Sequence, residues 1–319
     1  MTTIVQHALP IRPGGKINPA KGLPHDMTPF HDSFGNMPTR DYACILLPTV
    51  DYEAQLQAMR SLLDQHKKNE DRRTADIQRI DQAIPHLSEE QGRWASDDRS
   101  DRLHASVYAD AAHSMAAIGM LAPFIETIFN EAFSSARSFY GANTDSLPDH
   151  RRWKADIDLA WNCRHSWKKN GARFDSMDAG IMQLSSAIGL KEFLPTSLPT
   201  TLSAVFAYRN KMFHLGFEWP VHEREKFNER IAGEKWQTTW FQWATRDSKP
   251  WICYITNELI AECLTQIDGV LHAFGAFAVQ KLPSPNNVEK WEPPLGTSSN
   301  TRLARSIPRI SISMVDLHT

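Results

Sequence analysis

Cysteine is scarce in this chain, with four in 319 residues. Cys44, Cys163, Cys253 and Cys263 are dispersed and form no Cys-x-x-Cys pair. Neither a disulfide framework nor a zinc ribbon is expected, and the pattern fits a reducing, cytoplasmic setting. Charge of one sign is also missing. Lys and Arg number 35 against 37 Asp and Glu, a formal net charge of −2, which excludes a globally polybasic binder and confines any nucleic-acid contact to local patches. The longest apolar stretches, 115 to 125 and 270 to 279, fall short of the ~20 residues that cross a bilayer. With no positive-then-apolar leader in view, membrane association is not expected. No His-Glu-x-x-His, Gly-x-Ser-x-Gly or phosphate-cradling Gly-rich loop occurs. Cys163-x-His165 lacks a second ligand pair, so neither a metal nor another cofactor is expected.

What is present is an ordinary globular composition, 41% hydrophobic and 23% charged, enough for one main domain with appendages. Residues 1–42 hold Pro10, Pro13, Gly14, Gly15, Pro19, Gly22, Pro24, Pro29 and Pro38 with few periodic hydrophobes, and read as a flexible Pro/Gly-rich arm. Residues 43–98 read as a helical extension. There Tyr52, Leu56, Met59 and Leu63 take helical spacing, a charged stretch from Asp64 to Asp76 intervenes, and Ile77, Ile80, Ile84 and Leu87 resume it. This predicts one long helix or a broken pair that projects from the body or lies along a partner. The main helical domain is placed at 99–281, with an insertion at about 148–195. After Lys281 a Pro-, Ser- and Asn-rich tail, 282–319, is expected to be largely disordered.

Within the domain, Leu103, Val107, Ala111, Ile118, Leu121, Ile125, Ile128 and Phe129 mark a long helix that Pro123 should kink or restart. The stretch 251 to 280 carries Ile252, Ile255, Leu259, Cys263, Ile267, Val270, Phe274 and Phe277 at steps of three and four, predicting the closing helix. Only 239 to 244 and 308 to 314 read as short strands. The fold class is therefore mainly α.

A third helix is predicted over 198 to 215, between Ser197 with Pro199 and Gly216 with Pro220. At about 100° per residue, Leu198, Leu202, Val205, Phe206, Met212 and Phe213 fall within roughly 65° of one direction, and Arg209 points close to its centre. A guanidinium in an apolar stripe needs a partner or a polar cavity. Glu126 on the preceding long helix is the candidate supporting carboxylate, while Glu131 reads as surface solvation. Asn210 and His214, four apart, share a neighbouring strip, so three polar groups converge at the edge of a core.

The string Tyr208-Arg209-Asn210-Lys211-Met212-Phe213-His214 resembles the Arg-Asn-x-x-x-His signature of HEPN domains, the helical family named for higher eukaryotes and prokaryotes nucleotide-binding. The resemblance covers about residues 99 to 281, and its specificity lies in the six-residue motif. It implies a helical bundle that pairs as a homodimer, and in catalytic members a metal-independent endoribonuclease with two motifs facing one another. Arg209, Asn210 and His214 would be the catalytic set. Histidine titrates near neutrality and suits withdrawal of a 2′-hydroxyl proton, giving a cyclic phosphate, while a guanidinium stabilises the phosphoryl charge. Lys211 and Tyr208 would contact substrate. A toxin or phage-defence effector with an antitoxin or other regulatory partner is the biological role this suggests. The competing expectation is a non-catalytic helical module that dimerises or binds a nucleotide or RNA, its Arg209 and His214 serving as a buried network.

Two aromatic constellations accompany the motif. Between 151 and 173, basic residues are interleaved with Trp153, Trp161 and Trp167. Trp153 and Trp161 read as core, whereas Trp167 with Lys168 and Lys169 is the candidate RNA contact. Trp236, Trp240, Phe241, Trp243 and Trp251 read as a hydrophobic lid or self-association surface.

Overall fold

The computed structural model describes residues 37–141 and 147–282. The flexible arm expected over 1–42 lies outside these residues except for its last six, the tail from 283 and the candidate strand at 308 to 314 wholly so. The chain is mainly α. A short 3-10 helix, Thr39–Ile45, leads into α1 (Tyr52–Ala83), and α2 (Glu89–Tyr140) turns back along it. Ser88 and Gln91 form a reciprocal capping box at the start of α2, satisfying two otherwise orphaned amides. There follow α3 (Ile157–Ala160), the strands β1 (His165–Trp167) and β2 (Arg173–Asp175), and helices α4 (Met177–Ala187), α5 (Leu198–Leu215) and α6 (Val221–Gly233). A second hairpin, β3 (Phe241–Arg246) and β4 (Lys249–Ile255), then precedes the closing helix α7 (Asn257–Lys281). Residues 39 to 42, assigned to the arm by composition, instead belong to the folded body: Ala43 is fully buried and the 3-10 helix packs on α7.

Helix α2 is the spine. It runs unbroken through residue 98, where a domain boundary was expected, and through Pro123, where a kink or restart was expected. Its buried stripe of Ile118, Leu121, Ile125, Ile128, Phe129 and Phe133 meets Phe274 of α7, with Phe129 and Phe274 edge to face at 5.3 Å. Each such side chain contributes about 1.5–3 kcal/mol by burial, enough for packing to override the proline. This helix is also long and apolar enough to cross a membrane by length and composition, contrary to the reading from apolar runs; half of the relevant window is buried within the protein.

The α1–α2 pair explains the charged middle of the first helix. In α1 the buried residues stop at Leu63, and in α2 they begin at Ala111. Between them the two helices meet through ion pairs, Arg73–Asp110 at 2.9 Å and Arg99–Asp81. At the base of this arm His113 stacks on His66 with ring centroids 4.5 Å apart, and both its nitrogens are buried without a hydrogen-bond partner. Burial, then the neighbouring His66 and Arg73, lowers its pKa from 6.5 to about 4; Asp110 and Tyr254 border the same hollow. The unfolded chain therefore takes up a proton near pH 6.5 that the folded chain refuses until about 4. Stability is full above 6.5 and declines as pH falls towards 4, by about 1–2 kcal/mol once partial solvent exposure is discounted. Thermal unfolding followed from pH 7 to 4.5 should fall less steeply in His113→Phe than in the wild type.

The aromatic cluster near the C-terminus is core, not the expected lid or self-association surface. Trp236, Trp240, Phe241 and Trp251 are buried, and Phe227 meets Phe241 edge to face at 5.1 Å. The closing helix also starts later than predicted. Asp247 and Ser248 adopt φ of 52° and 62°, the left-handed pair of a tight hairpin turn, so residues 251 to 255 pair with β3 as β4.

Candidate functional site

Helix α5 occupies Leu198–Leu215 as predicted, with Pro199 in its first turn and Gly216 closing it. Its burial differs from the wheel. Leu198, Leu202, Val205 and Phe206 are buried, but near the C-terminal end the covered arc narrows to Tyr208 and Met212 because Trp219, β4 and Phe227 of α6 cover only that side. Arg209 is half-exposed, not sealed in the core, and Phe213 is 54% exposed.

The motif residues divide accordingly. Arg209 and Asn210 line an open cleft of about 740 Å³ bounded by α2, the β1–β2 hairpin and α6, and the guanidinium donates to the Asn210 amide oxygen at 3.2 Å. The cation also lies 5.7 Å from the centre of the Phe213 ring. Glu126 lines the same cleft, yet among the described residues no carboxylate pairs with Arg209 within 4 Å, so the expected supporting ion pair is absent. His214 is exposed, with no hydrogen-bond partner among the described residues. It lies five residues, about 140° of helical turn, from Arg209.

Two motif neighbours have structural work. Tyr208 is fully buried against Trp219, Phe227 and Phe241 and donates to the Cys253 carbonyl at 3.0 Å, which corrects its assignment as a substrate contact. Burial raises its pKa well above the usual phenol value. Lys211 is ion-paired with Glu223 of α6, whose carboxyl that bond holds below its ordinary range. It anchors α6 before it can meet a phosphate.

The cleft holds a pair that the spacing arguments overlooked. His165 of β1 and Asp175 of β2 are cross-strand neighbours, and Nδ1 of the imidazole lies 2.8 Å from the carboxylate. Both line the cleft with Arg209, as do Arg164 and Arg230. Such a carboxylate fixes the ring orientation and leaves Nε2 to face other partners. A signal existed: Asn170-Gly171 is a strong hairpin dipeptide, and Gly171 takes φ of 83°.

Two devices hold this wall. Arg152 is completely buried and donates through Nε to the carbonyl of Ala160 at 2.8 Å, through Nη2 to Asn162 at 2.8 Å and through Nη1 to His165 at 2.7 Å. Its guanidinium stacks on Trp167 at 4.6 Å. Trp167 is thus buried to 7% exposure, and it borders the groove that Lys168 and Lys169 line. Burial lowers the Arg152 pKa to about 10, still cationic at neutral pH. The second device is Gly180 of α4, where an added Cβ would fall 1.8 Å from the Cys163 carbonyl oxygen. Only hydrogen fits there. Lys168 and Lys169 are exposed on the hairpin's far side, in a separate groove.

No family model, curated protein or solved structure matches this chain.

Proposed function

We propose that this protein is a metal-independent endoribonuclease of HEPN type, acting as a homodimer through Arg209, Asn210 and His214. One observation carries the reading: Arg209 and Asn210 stand together on the wall of an open cleft with no carboxylate among the described residues claiming the guanidinium, and His214 is exposed at the end of the same helix. A purely structural Arg–His network would be buried and internally satisfied; these groups are open to a ligand.

In the proposed reaction an imidazole withdraws the proton of an RNA 2′-hydroxyl. The 2′-oxygen bonds to phosphorus as the bond to the 5′-oxygen breaks, and that oxygen takes a proton from an imidazolium or from water. Arg209 offsets charge on the phosphoryl oxygens. Asn210 holds the guanidinium, or a phosphate oxygen in its place. Because His214 points about 140° around the helix from Arg209, a composite site needs the second copy's histidine, and exposed Phe213 beside Arg209 supplies apolar surface for that pairing.

The His165–Asp175 pair favours a second arrangement, in which the imidazole comes from the same chain. Purified protein incubated with an RNA panel in excess chelator should yield 2′,3′-cyclic phosphate ends, and a 2′-deoxy substitution at the scissile position should block cleavage. Loss of activity in His165→Ala with retention in His214→Ala would select the intrachain base. An RNA panel left intact would replace the nuclease with a module that dimerises or binds a nucleotide. Growth arrest on expression that vanishes with His214→Ala would place the activity in a toxin or defence role.

A further inference from the structure

The insertion carries seven exposed cations, Arg151, Lys154, Arg164, Lys168, Lys169, Arg173 and Lys191. Among the described residues none of these has a carboxylate partner within 4 Å, whereas α1 and the N-terminal half of α2 tie Arg60, Arg73, Arg79, Arg93, Arg99 and Arg102 into ion pairs. Unpaired positive charge concentrated in one segment of a chain with net charge −2 is a local field that attracts a polyanion.

Four of these groups meet in one place. Arg151, Lys168, Lys169 and Lys191, with His150, line a groove of about 590 Å³ whose lining holds no carboxylate among the described residues. Of the acidic residues next in sequence to its lining, Asp175 pairs with His165 on the cleft side, Asp178 accepts from the Ser176 hydroxyl, Glu192 lies 3.9 Å from Lys281, and Asp149 flanks His150. The groove also has an exposed ring, Phe174 of β2, with the Lys168 ammonium 6.0 Å from its centre. Cations beside an exposed aromatic face are the pairing that holds a single strand, by phosphate contacts and base stacking together. A duplex buries its bases and has no use for the ring.

Position links this groove to the cleft. Successive residues of a strand face opposite ways, so His165 and its partner Asp175 face the cleft while the adjacent pair, Ser166 and Phe174, borders the groove. The two hollows lie back to back across one hairpin. We propose that the groove is a docking site for single-stranded RNA, holding the strand that flanks the phosphodiester presented to Arg209 and stacking one base on Phe174. The inference takes its choice of RNA from the nuclease reading, but its test does not depend on cleavage.

Binding of a fluorescent, non-cleavable 2′-O-methyl oligoribonucleotide of about a dozen residues to the full chain, followed by anisotropy over a salt series, reads the groove alone. Lys168→Ala/Lys169→Ala/Lys191→Ala should weaken binding about ten-fold or more and lower the slope of log affinity against log salt by about 2, since each phosphate contact contributes ~0.7. Phe174→Ala should weaken it about five-fold while leaving that slope alone. Residue-dependent binding without cleavage of natural RNA would sustain the groove and remove the nuclease. Cleavage with affinity and salt slope unchanged in both variants would overturn the groove and leave the nuclease. Tighter binding of a duplex or of anionic lipid vesicles, insensitive to Phe174→Ala, would also overturn it.

Discussion

Arg209→Ala and His214→Ala are each expected to lower RNA cleavage by about 10²–10⁴-fold, the range general acid–base and charge-stabilising groups supply, with almost no change in melting temperature. The second half follows from exposure. His214 has no partner to lose among the described residues, and Arg209 gives up only a 3.2 Å bond to Asn210 and a 5.7 Å ring contact, both at a solvent-lined cleft. Surface changes of this kind shift stability within about 0.5 kcal/mol. Single-turnover cleavage and thermal unfolding on the same preparations check both halves. If the dimer supplies the missing histidine, mixing inactive Arg209→Ala with inactive His214→Ala should restore part of the activity, because one of the two composite sites in a mixed dimer keeps both groups. Failure of the mixture to recover, alongside stable mixed dimers, would confine Arg209 and His214 to one site within one chain. A fall in melting temperature of many degrees in either variant would assign the motif to the core.

The legible parts of this fold are those governed by local rules. The bounds of α5 follow from Pro199 and Gly216, and the α2 and α7 stripes from spacing at three and four. What was not legible depends on how long-range partners cover a helix. On the wheel, Arg209 and Leu202 share a face, yet the body covers one and not the other because at the last turns of α5 only the side bearing Tyr208 and Met212 is covered. The β3–β4 hairpin was half visible: β3 alternates, but the Asp247–Ser248 turn lacks the glycine that usually marks such a bend. Most of the site wall escaped for the same reason. His165 and Asp175 are brought together by pairing across Asn170-Gly171, and neither has a spacing that singles it out.

The permanently buried arginine is therefore Arg152, not Arg209, and its removal is expected to have the largest effect on stability. Arg152→Met keeps much of the aliphatic bulk but removes the guanidinium from the carbonyls of Ala160, Asn162 and His165, of which Asn162 keeps the His165 amide at 3.1 Å. A buried acceptor deprived of its partner costs about 1–3 kcal/mol, and two so deprived at one site, together with the lost stack on Trp167 at 4.6 Å, imply about 3–5 kcal/mol, the scale of a broken buried charge network. Arg152→Lys should recover little, because one ammonium cannot reproduce a planar fork that reaches three carbonyls and sits over an indole. Two of those carbonyls, at Asn162 and His165, bracket Cys163, whose own carbonyl lies where a Cβ on Gly180 would fall. Loss of the fork thus frees the segment that α4 grips, and with it the cleft wall bearing His165. Denaturant unfolding should register the loss in both variants. Hydrogen exchange should localise it, with amides of β1 and β2 losing protection before those of α2 and α7. Equal loss throughout would make Arg152 a support of the whole bundle, and a change below about 1 kcal/mol would show that water replaces the fork at all three carbonyls.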